Sequence, residues 1–493
     1  MTPFESARIV AALRAAGVLV DTRGALPAEL SDVSDDSRHV QPGSLFIAVK
    51  GSERDGHDFL QQAAAKGAAA AIVENKSRTE LPVIVVRDGR RAAAIAAAAA
   101  FDHPAQALRL VAVTGTNGKT TTVHILRHLL DGHGGKSASI GTLGVLVGSA
   151  GVPLGEGGDA GGGLTTPGPV ELQRTLRALI GAGVRSVAME ASSHSLDQRR
   201  VDGLVFESAI FTNLTRDHLD YHGTMEAYFD AKARLVSYLA PRGVAIVNAD
   251  DPAWARLPPA PRTITFGLSD KAMVRAEAVH YEPRGSEWRL VANTQRHALH
   301  LPLIGDFNIA NSLGAAVAAW DLGASLSEVA SRLRTVPQVP GRLELIHEHP
   351  AVLRDYAHTP DALERSIAAV RPFTRKRLIV VFGCGGDRDR GKRPQMGNIA
   401  ERSADWVILT SDNPRTEDPE EILDDIERGM RRTNHERIEE RDLAILQALE
   451  RADARDDVIL LAGKGHETYQ IRGTIKHPFD EKAVVAELTG RMR

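Results

Sequence analysis

Short apolar runs recur along the whole chain, and stretches of helical spacing lie between them. Over the first hundred residues the runs are LFIAV (45–49), AAAIV (69–73) and VIVV (83–86), separated by Ala-rich stretches at 59–66 and 90–101. That alternation predicts a small α/β domain. At Leu110 a new unit opens, where LVAVTG runs into GKTTTVHILRHLL. The pattern predicts a strand, a glycine-containing turn and an amphipathic helix with Val123, Leu126 and Leu130 on one side. Strand-like segments return at 184–191, 208–214 and 243–249. From Val339–Arg342 the rhythm resumes with RLIVVFG (377–383), DWVILTS (405–411) and DVILLAG (457–463). Apolar runs alternating with helices predict parallel, doubly wound sheets. The expected fold class is therefore α/β, with three consecutive α/β domains over residues 1–108, 109–339 and 340–493.

Composition narrows the function classes. A chain of 493 residues exceeds what one hydrophobic core sustains, about 250 to 300 residues. A net charge of only −3 gives no general cationic field, so no nucleic-acid partner is expected. The longest apolar run, AAAIAAAAAF at 92–101, reads as a small-residue packing helix and falls short of the roughly 18 residues of a membrane span. The first residues lack a basic region followed by an uninterrupted apolar core. Cys384 is the sole cysteine, which excludes an intrachain disulfide and a cysteine-based metal cluster and fits a reducing cytoplasm. No membrane partner is expected, and a monomer is. The glycine-rich stretch 148–163 predicts a mobile surface loop.

The sharpest local motif runs from Thr114 through Gly115, Thr116, Asn117, Gly118, Lys119, Thr120 and Thr121. A glycine-rich turn between strand and helix lets backbone N–H groups cradle phosphates, while lysine reaches the outer phosphate oxygens and threonine ligates Mg²⁺. The motif is shortened, because the general pattern wants glycine where Val113 stands. An ordinary βα turn is the competing reading. Downstream, Glu190 ends an apolar strand, at the sheet edge where ligands usually bind, and can hold a metal. His218, flanked by Asp217 and Asp220, offers metal ligation or positioning. Helix capping and loop decoration compete for each segment taken alone.

These segments, with TGTNGKTTT, MEASSHSLDQRRV, TNLTRDHLDYHGTMEAYFDAKARL, GDFNIANSLGAA and PGRLELI in this order, resemble the Mur ligases and their relatives that lengthen folate glutamate tails. The resemblance spans nearly the whole chain. It implies a central P-loop ATPase-like domain, a Rossmann-like C-terminal domain and an ATP-dependent amide-bond-forming ligase with Mg²⁺ as cofactor. It also implies that Lys232 is carbamylated, making it an anion able to bridge to a second Mg²⁺. By its own type and setting Lys232 reads as a solvated helix lysine. The family pattern makes Asn308 and Asn311 adenine contacts, and Arg342 and Asp355 further ATP contacts. Capping and salt bridging are the plain alternatives for those four.

Three polar loops follow strands in the last domain: Cys384–Pro394 with Arg388, Ser411–Arg415, and Gly463–Glu467. Arginine, aspartate and glutamate at one sheet edge suit a zwitterion, since guanidinium pairs with carboxylate and carboxylate with ammonium. A salt-bridged rim would look the same. Through the resemblance, Asp412-Asn413-Pro414-Arg415 matches the ligases that take meso-diaminopimelate, with Arg388 and Arg415 for its second carboxylate and Gly463 and Glu467 beside them. Ser37, Ser52, Glu53 and Arg54 match the family segments that hold the uridine diphosphate end of the precursor. Thr165, Thr166, Ser192, Gln198 and Arg200 match the muramoyl-peptide contacts, with a turn and helix start as the alternative for Thr165–Pro167.

The implied partners are a UDP-N-acetylmuramoyl-dipeptide, ATP and meso-diaminopimelate. In the implied reaction Lys119 and Mg²⁺ neutralise the transferring phosphoryl group; Thr120 and Glu190 hold one ion, His218 and carbamylated Lys232 the second. His358 and Glu467 are candidates for a general base. The rivals are a related ligase for folate or another wall-precursor step, a lysine-adding variant, and a nucleotide-hydrolysing switch that ligates nothing.

Overall fold

The computed structural model describes residues 3–51, 54–74, 79–154, 164–282 and 284–491. The chain forms two compact units, one holding the residues up to Val274 with Gly314–Ser325, the other Arg275–Leu313 with Leu326 onward.

The first unit contains a two-stranded pair, Phe4–Glu5 with Glu29–Leu30, and two larger sheets. The smaller has the order β1 (Leu19–Arg23), β5 (Val83–Val86), β4 (Ala70–Val73), β3 (Leu45–Ile47), β2 (Val33–Ser34). Strands β2 to β5 are parallel and β1 is antiparallel to β5. Helices α1 (Ser6–Ala15) and α2 (Gly89–Ala100) pack on one face through Ile9, Leu13, Ala93 and Ala97. Asp88 starts α2 by accepting from Arg91 N at 3.0 Å. Alanine keeps the packing surface of α2 flat, as its small-residue pattern predicts.

The larger sheet of this unit runs β8 (Gly144–Val147), β7 (Lys136–Gly141), β9 (Val184–Glu190), β6 (Arg109–Thr114), β10 (Phe206–Phe211), β11 (Leu239–Asn248), β12 (Arg262–Gly267). Only β8 is antiparallel. Leu110 to Val113 are fully buried, because helices cover both faces. The helix after β6, α3 (Lys119–Leu130), departs from the amphipathic expectation: every residue from Thr120 to Leu130 is buried. The Gly148–Gly151 turn shields its polar side, where Arg127 donates to the carbonyls of Gly148 and Ser149. That contact spans about twenty residues and leaves no mark on local periodicity. Most of the predicted glycine-rich loop, 155–163, lies outside the described residues.

In the second unit an antiparallel hairpin, β13 (Gly285–Ala292) and β14 (Gln295–Leu301), precedes a sheet of order β15 (Glu344–Glu348), β16 (Ala351–Asp355), β20 (Val458–Ala462), β17 (Leu378–Phe382), β18 (Trp406–Leu409), β19 (His435–Arg437). All but β15 are parallel. On β17, Leu378, Val380 and Phe382 pack with α8 (Pro360–Val370), α9 (Lys392–Ser403) and α10 (Pro419–Glu427). Ile379 and Val381 pack the other way, with α11 (Arg441–Arg451) and α12 (Glu481–Arg491). A strand buried on both faces reads as an unbroken apolar run, which is why RLIVVFG does not alternate. The antiparallel pair β21 (Tyr469–Arg472) and β22 (Ile475–Pro478) closes the C-terminal part. Among the described residues no helix is long and apolar enough to cross a membrane.

Candidate functional site

In the larger sheet of the first unit, β6 lies between β9 and β10, and the chain leaves it toward opposite sides. Its carboxyl end is the switch point where neighbouring loops part and open a crevice. The glycine-rich turn emerges there. Gly115 has φ +147° and Gly118 φ +87°, both accessible to glycine without a side-chain clash. The strand beside it braces the turn. Thr116 N donates to Asn213 O at 2.8 Å, Asn117 N to Asn213 Oδ1 at 2.9 Å, and Thr212 Oγ1 to Asn117 O at 2.7 Å. Lys119 Nζ donates to the carbonyls of Gly115 and Thr116 at 3.0 and 2.8 Å. Thr120 and Thr121 are buried in the first turn of α3.

Lys232 is not the solvated lysine its helix setting suggests. It sits on α6 (Met225–Ala233), started by Thr224 Oγ1 accepting from Ala227 N, and is 1% exposed. Its Nζ donates to Gly115 O at 2.7 Å and lies 4.6 Å from the Tyr228 ring centroid. Burial, with the nearby Lys119 ammonium, drives its pKa well below the usual lysine range; Asp217 opposes the shift. The Tyr228 hydroxyl meets Thr116 Oγ1 at 3.1 Å, so α6 grips the loop twice.

Glu190 ends β9 in register with Val113, which places its carboxylate one strand from the loop. It accepts from Thr142 N at 2.8 Å and from Thr142 Oγ1 at 3.3 Å. A Cβ on Gly141 would fall 2.2 Å from its Oε1, so glycine there leaves the carboxylate its cradle. His218, in the left-handed region at φ +54°, has Nε2 3.4 Å from Asp217 Oδ2. Its ring meets His194 edge-on at 4.8 Å, and His194 lies 4.3 Å from Tyr221 and 5.5 Å from His222. Burial, then the two neighbouring histidines, lowers His194 to about 4. No three His, Cys, Asp or Glu gather into a preformed metal centre among the described residues. The oxygen-rich set of a threonine hydroxyl, a cradled carboxylate and phosphate-loop neighbours fits Mg²⁺, which keeps waters and takes few protein ligands.

The muramoyl-peptide candidates join this network. Thr166 Oγ1 donates to Glu190 O at 2.9 Å and accepts from Ser192 N at 3.2 Å. Arg200 donates to Thr166 O at 2.9 Å and forks onto Gln198 Oε1. Thr165 Oγ1 is 3.5 Å from Thr142 Oγ1. The uridine-end candidates do not join it: Ser37 is buried with its hydroxyl on Gln62 Oε1 at 2.8 Å, and Arg54 is exposed. Ser52 and Glu53 lie outside the described residues.

In the second unit, Asn308 and Asn311 are buried one turn apart on α7 (Asp306–Asp321), with Asn311 Nδ2 donating to Asn308 Oδ1 at 3.1 Å. Asp355 ends β16 and accepts from Leu343 N at 2.7 Å and Ser366 Oγ at 2.9 Å. Burial pushes its carboxyl up, and Arg342 opposes the shift. The Arg342 guanidinium lies 4.9 Å from the Tyr356 ring, which also touches His358 and His466. His358 directs Nδ1 at Tyr356 O, 2.8 Å away.

The three polar loops converge beyond the carboxyl ends of β17, β18 and β20. A Cβ on Gly385 would meet Arg415 Nη1 at 2.9 Å and Arg388 Cγ at 3.7 Å, so the two arginines flank one point of backbone. Arg415, at φ +53°, donates to Gly386 O at 2.9 Å. The Pro414 carbonyl occupies the space a side chain on Gly386 would need, 1.8 Å from its Cβ position. Asp412 is 6% exposed, with Oδ2 3.1 Å from the Cβ position of Gly463. Asn413 Nδ2 donates to Glu467 Oε2 at 2.8 Å, while its Oδ1 accepts from Ile471 N at 2.9 Å. Lys464, fully buried, reaches Glu467 Oε2 at 3.2 Å and Asn413 Oδ1 at 3.3 Å. Sequence reasoning passed over Lys464, Asn213, Tyr228, Thr142 and His194. All but Tyr228, which lies on helix α6, sit a few residues after a strand end, and that placement was the available signal.

Three family models match in chain order: "Mur ligase family, catalytic domain" over residues 29–112, "Mur ligase middle domain" over 113–319 and "Mur ligase, glutamate ligase domain" over 341–465. A UDP-N-acetylmuramoyl-L-alanyl-D-glutamate--2,6-diaminopimelate ligase of Geobacillus thermodenitrificans is 45% identical over 462 residues, covering 91% of this chain and 92% of that protein. The ligase of the same name from Gloeobacter violaceus is 45% identical over 482 residues, 96% of each. A solved structure of a ligase so named superposes with a TM-score of 0.68 at 34% identity, covering 96% of this chain and 97% of the other. Sheets, loop order and relatives agree, and the chain belongs to the Mur ligase family.

Proposed function

We propose that this protein joins meso-diaminopimelate to the D-glutamyl residue of UDP-N-acetylmuramoyl-L-alanyl-D-glutamate, driven by ATP. The observation that carries the reading is the meeting of Arg388 and Arg415 at Gly385 beside the Asp412–Asn413–Glu467 cluster. It offers guanidinium to a carboxylate and carboxylates to an ammonium within one pocket, the complement of an amino acid with a zwitterionic far end.

The chemistry has two steps. The γ-phosphoryl of ATP passes to the glutamyl side-chain carboxylate, giving an acyl phosphate and ADP. The amino group, having lost a proton, then attacks the acyl carbon, and the tetrahedral adduct expels phosphate to leave the amide. Backbone N–H groups at the start of α3, beyond the two that Thr116 and Asn117 give to Asn213, hold the phosphates, and Lys119 neutralises charge on the transferring group. Bound Mg²⁺, on Thr120 and Glu190 and on His218 and a carbamylated Lys232, supplies further charge neutralisation. Lys232 suits carbamylation because an amine must be neutral to add to carbon dioxide, and its burial favours that form. Thr165, Thr166, Ser192, Gln198 and Arg200 orient the muramoyl peptide, and Ser37 with the 52–54 loop the uridine end. Asn308, Asn311, Arg342 and Asp355 are further ATP-contact candidates. Three domains, 1–108, 109–339 and 340–493, divide the work among precursor, ATP and amino acid. A reducing cytoplasm suits the lone, buried Cys384.

The test is ATP-dependent ligation with meso-diaminopimelate and L-lysine side by side. Product with diaminopimelate in preference to lysine is expected, with phosphate released only when precursor and amino acid are both present. Equal use of lysine sinks the specificity, and phosphate release without either substrate sinks the ligase reading.

A further inference from the structure

Beside the acids of the proposed amino-acid site sits a buried lysine. Lys464 stands two residues beyond β20 and has no exposed surface. Its ammonium lies 3.2 Å from Glu467 Oε2, 3.6 Å from Asp412 Oδ1 and 3.3 Å from Asn413 Oδ1, with the Tyr469 ring centroid 5.9 Å away. Asp412 Oδ1 is itself buried and has no hydrogen-bond partner, while Glu467 Oε2 accepts from both Asn413 and Lys464. Two carboxylates thus share one internal ammonium, so the cluster is formally one charge negative.

We infer that Lys464 is a positioning and specificity-determining residue. It pins Asp412 and Glu467 in one geometry and cancels one of their charges, so that the pocket is tuned to a single substrate ammonium. The inference rests on the ligase reading and deepens it. Like charges at this spacing repel strongly in a low-dielectric site. Without Lys464 the pair retains both charges and attracts cations indiscriminately. An amino acid whose far end is an ammonium alone, as in lysine, then gains relative to one whose far end also bears a carboxylate. Arg388 and Arg415 attract that carboxylate; Lys464 keeps the opposite wall from outbidding them.

The test compares wild type with Lys464→Met, Lys464→Gln and Lys464→Arg in the full-length enzyme, with thermal melting to establish folding. Expected for Met and Gln is a rise of about tenfold in KM for meso-diaminopimelate, with KM for ATP and precursor within twofold. The diaminopimelate-to-lysine ratio of kcat/KM should fall by about tenfold. Arginine, which restores the charge, should keep that ratio within about threefold of wild type. If Met does not fold, Gln against Arg carries the comparison. A ratio unchanged in Gln, or all three KM values rising together, overturns the role of Lys464 while leaving the ligase reading intact. A wild type that ligates neither amino acid overturns both.

Discussion

Gly115→Ala is the substitution whose cost follows most directly from the coordinates. At φ +147° the backbone lies where a side chain is strained, and the new methyl would sit 1.9 Å from Thr212 Oγ1 and 3.0 Å from Asn213 N and O. Thr212 cannot yield freely, because its hydroxyl donates to Asn117 O at 2.7 Å and lies 3.2 Å from Thr114 O. Backbone strain of about 1–3 kcal/mol and a lost, buried hydrogen bond of about 1–3 kcal/mol act together. If the phosphate-holding form of the loop bears about 3 kcal/mol of this, nucleotide affinity falls by about 100-fold. Titration calorimetry with ATP reads the loss directly. The double variant Gly115→Ala/Thr212→Ala separates the two contributions: removing Oγ1 relieves the collision but not the strain, so part of the affinity should return. Binding within threefold of wild type in Gly115→Ala would refute the assignment of this turn as the phosphate cradle.

Other expectations follow from the same geometry. Arg415→Ala should raise KM for the amino acid by tenfold or more with ATP binding intact; an unchanged amino-acid dependence would put Arg415 outside the site. Lys232→Met should lower kcat by at least 100-fold while the protein stays folded, and wild type freed of carbon dioxide should lose activity that bicarbonate restores; indifference to bicarbonate would argue against a carbamate. His466 is lowered to about 4, by burial first and then by Arg342 and Arg354. Between that value and its ordinary 6.5 the unfolded chain binds the extra proton, so stability should fall as pH drops through this window, by up to about 3 kcal/mol. In urea melts at pH 7 and 5, His466→Gln should lose less stability than wild type on acidification; equal losses would remove His466 as a cause.

The α/β class was legible because parallel strands buried on both faces leave unbroken apolar runs, as at 110–113 and 378–382. The phosphate turn was legible because Gly115, Gly118, Lys119 and Thr120 fall within one short stretch. What escaped depends on distant contacts. The covering of α3 by Gly148–Gly151 and the seating of Lys232 on Gly115, 117 residues away, leave no local pattern. The burial of Lys464 likewise follows from β18 and β20 ending side by side around β17. The antiparallel additions β1 and β15 lie at sheet edges and β8 one strand in from an edge, where short strands carry a weak periodicity. Glu190 was visible as the polar residue closing an apolar run and His218 as a histidine flanked by aspartates, but their partners, Thr142 and His194, were not.

The bracing of the phosphate turn by Thr212, Asn213, Tyr228 and Lys232 also bears on how portable that turn is. Few of its restraints come from its own residues; most arrive from a strand end and a helix about a hundred positions downstream. Grafted alone into another protein, TGTNGKTT would keep its composition and lose its shape. Conversely, nucleotide affinity in this enzyme is a gauge of folding well away from the nucleotide. A lesion in α6 should register as lost ATP binding before the sheet itself loosens, and amide exchange across residues 115–118 should quicken with it.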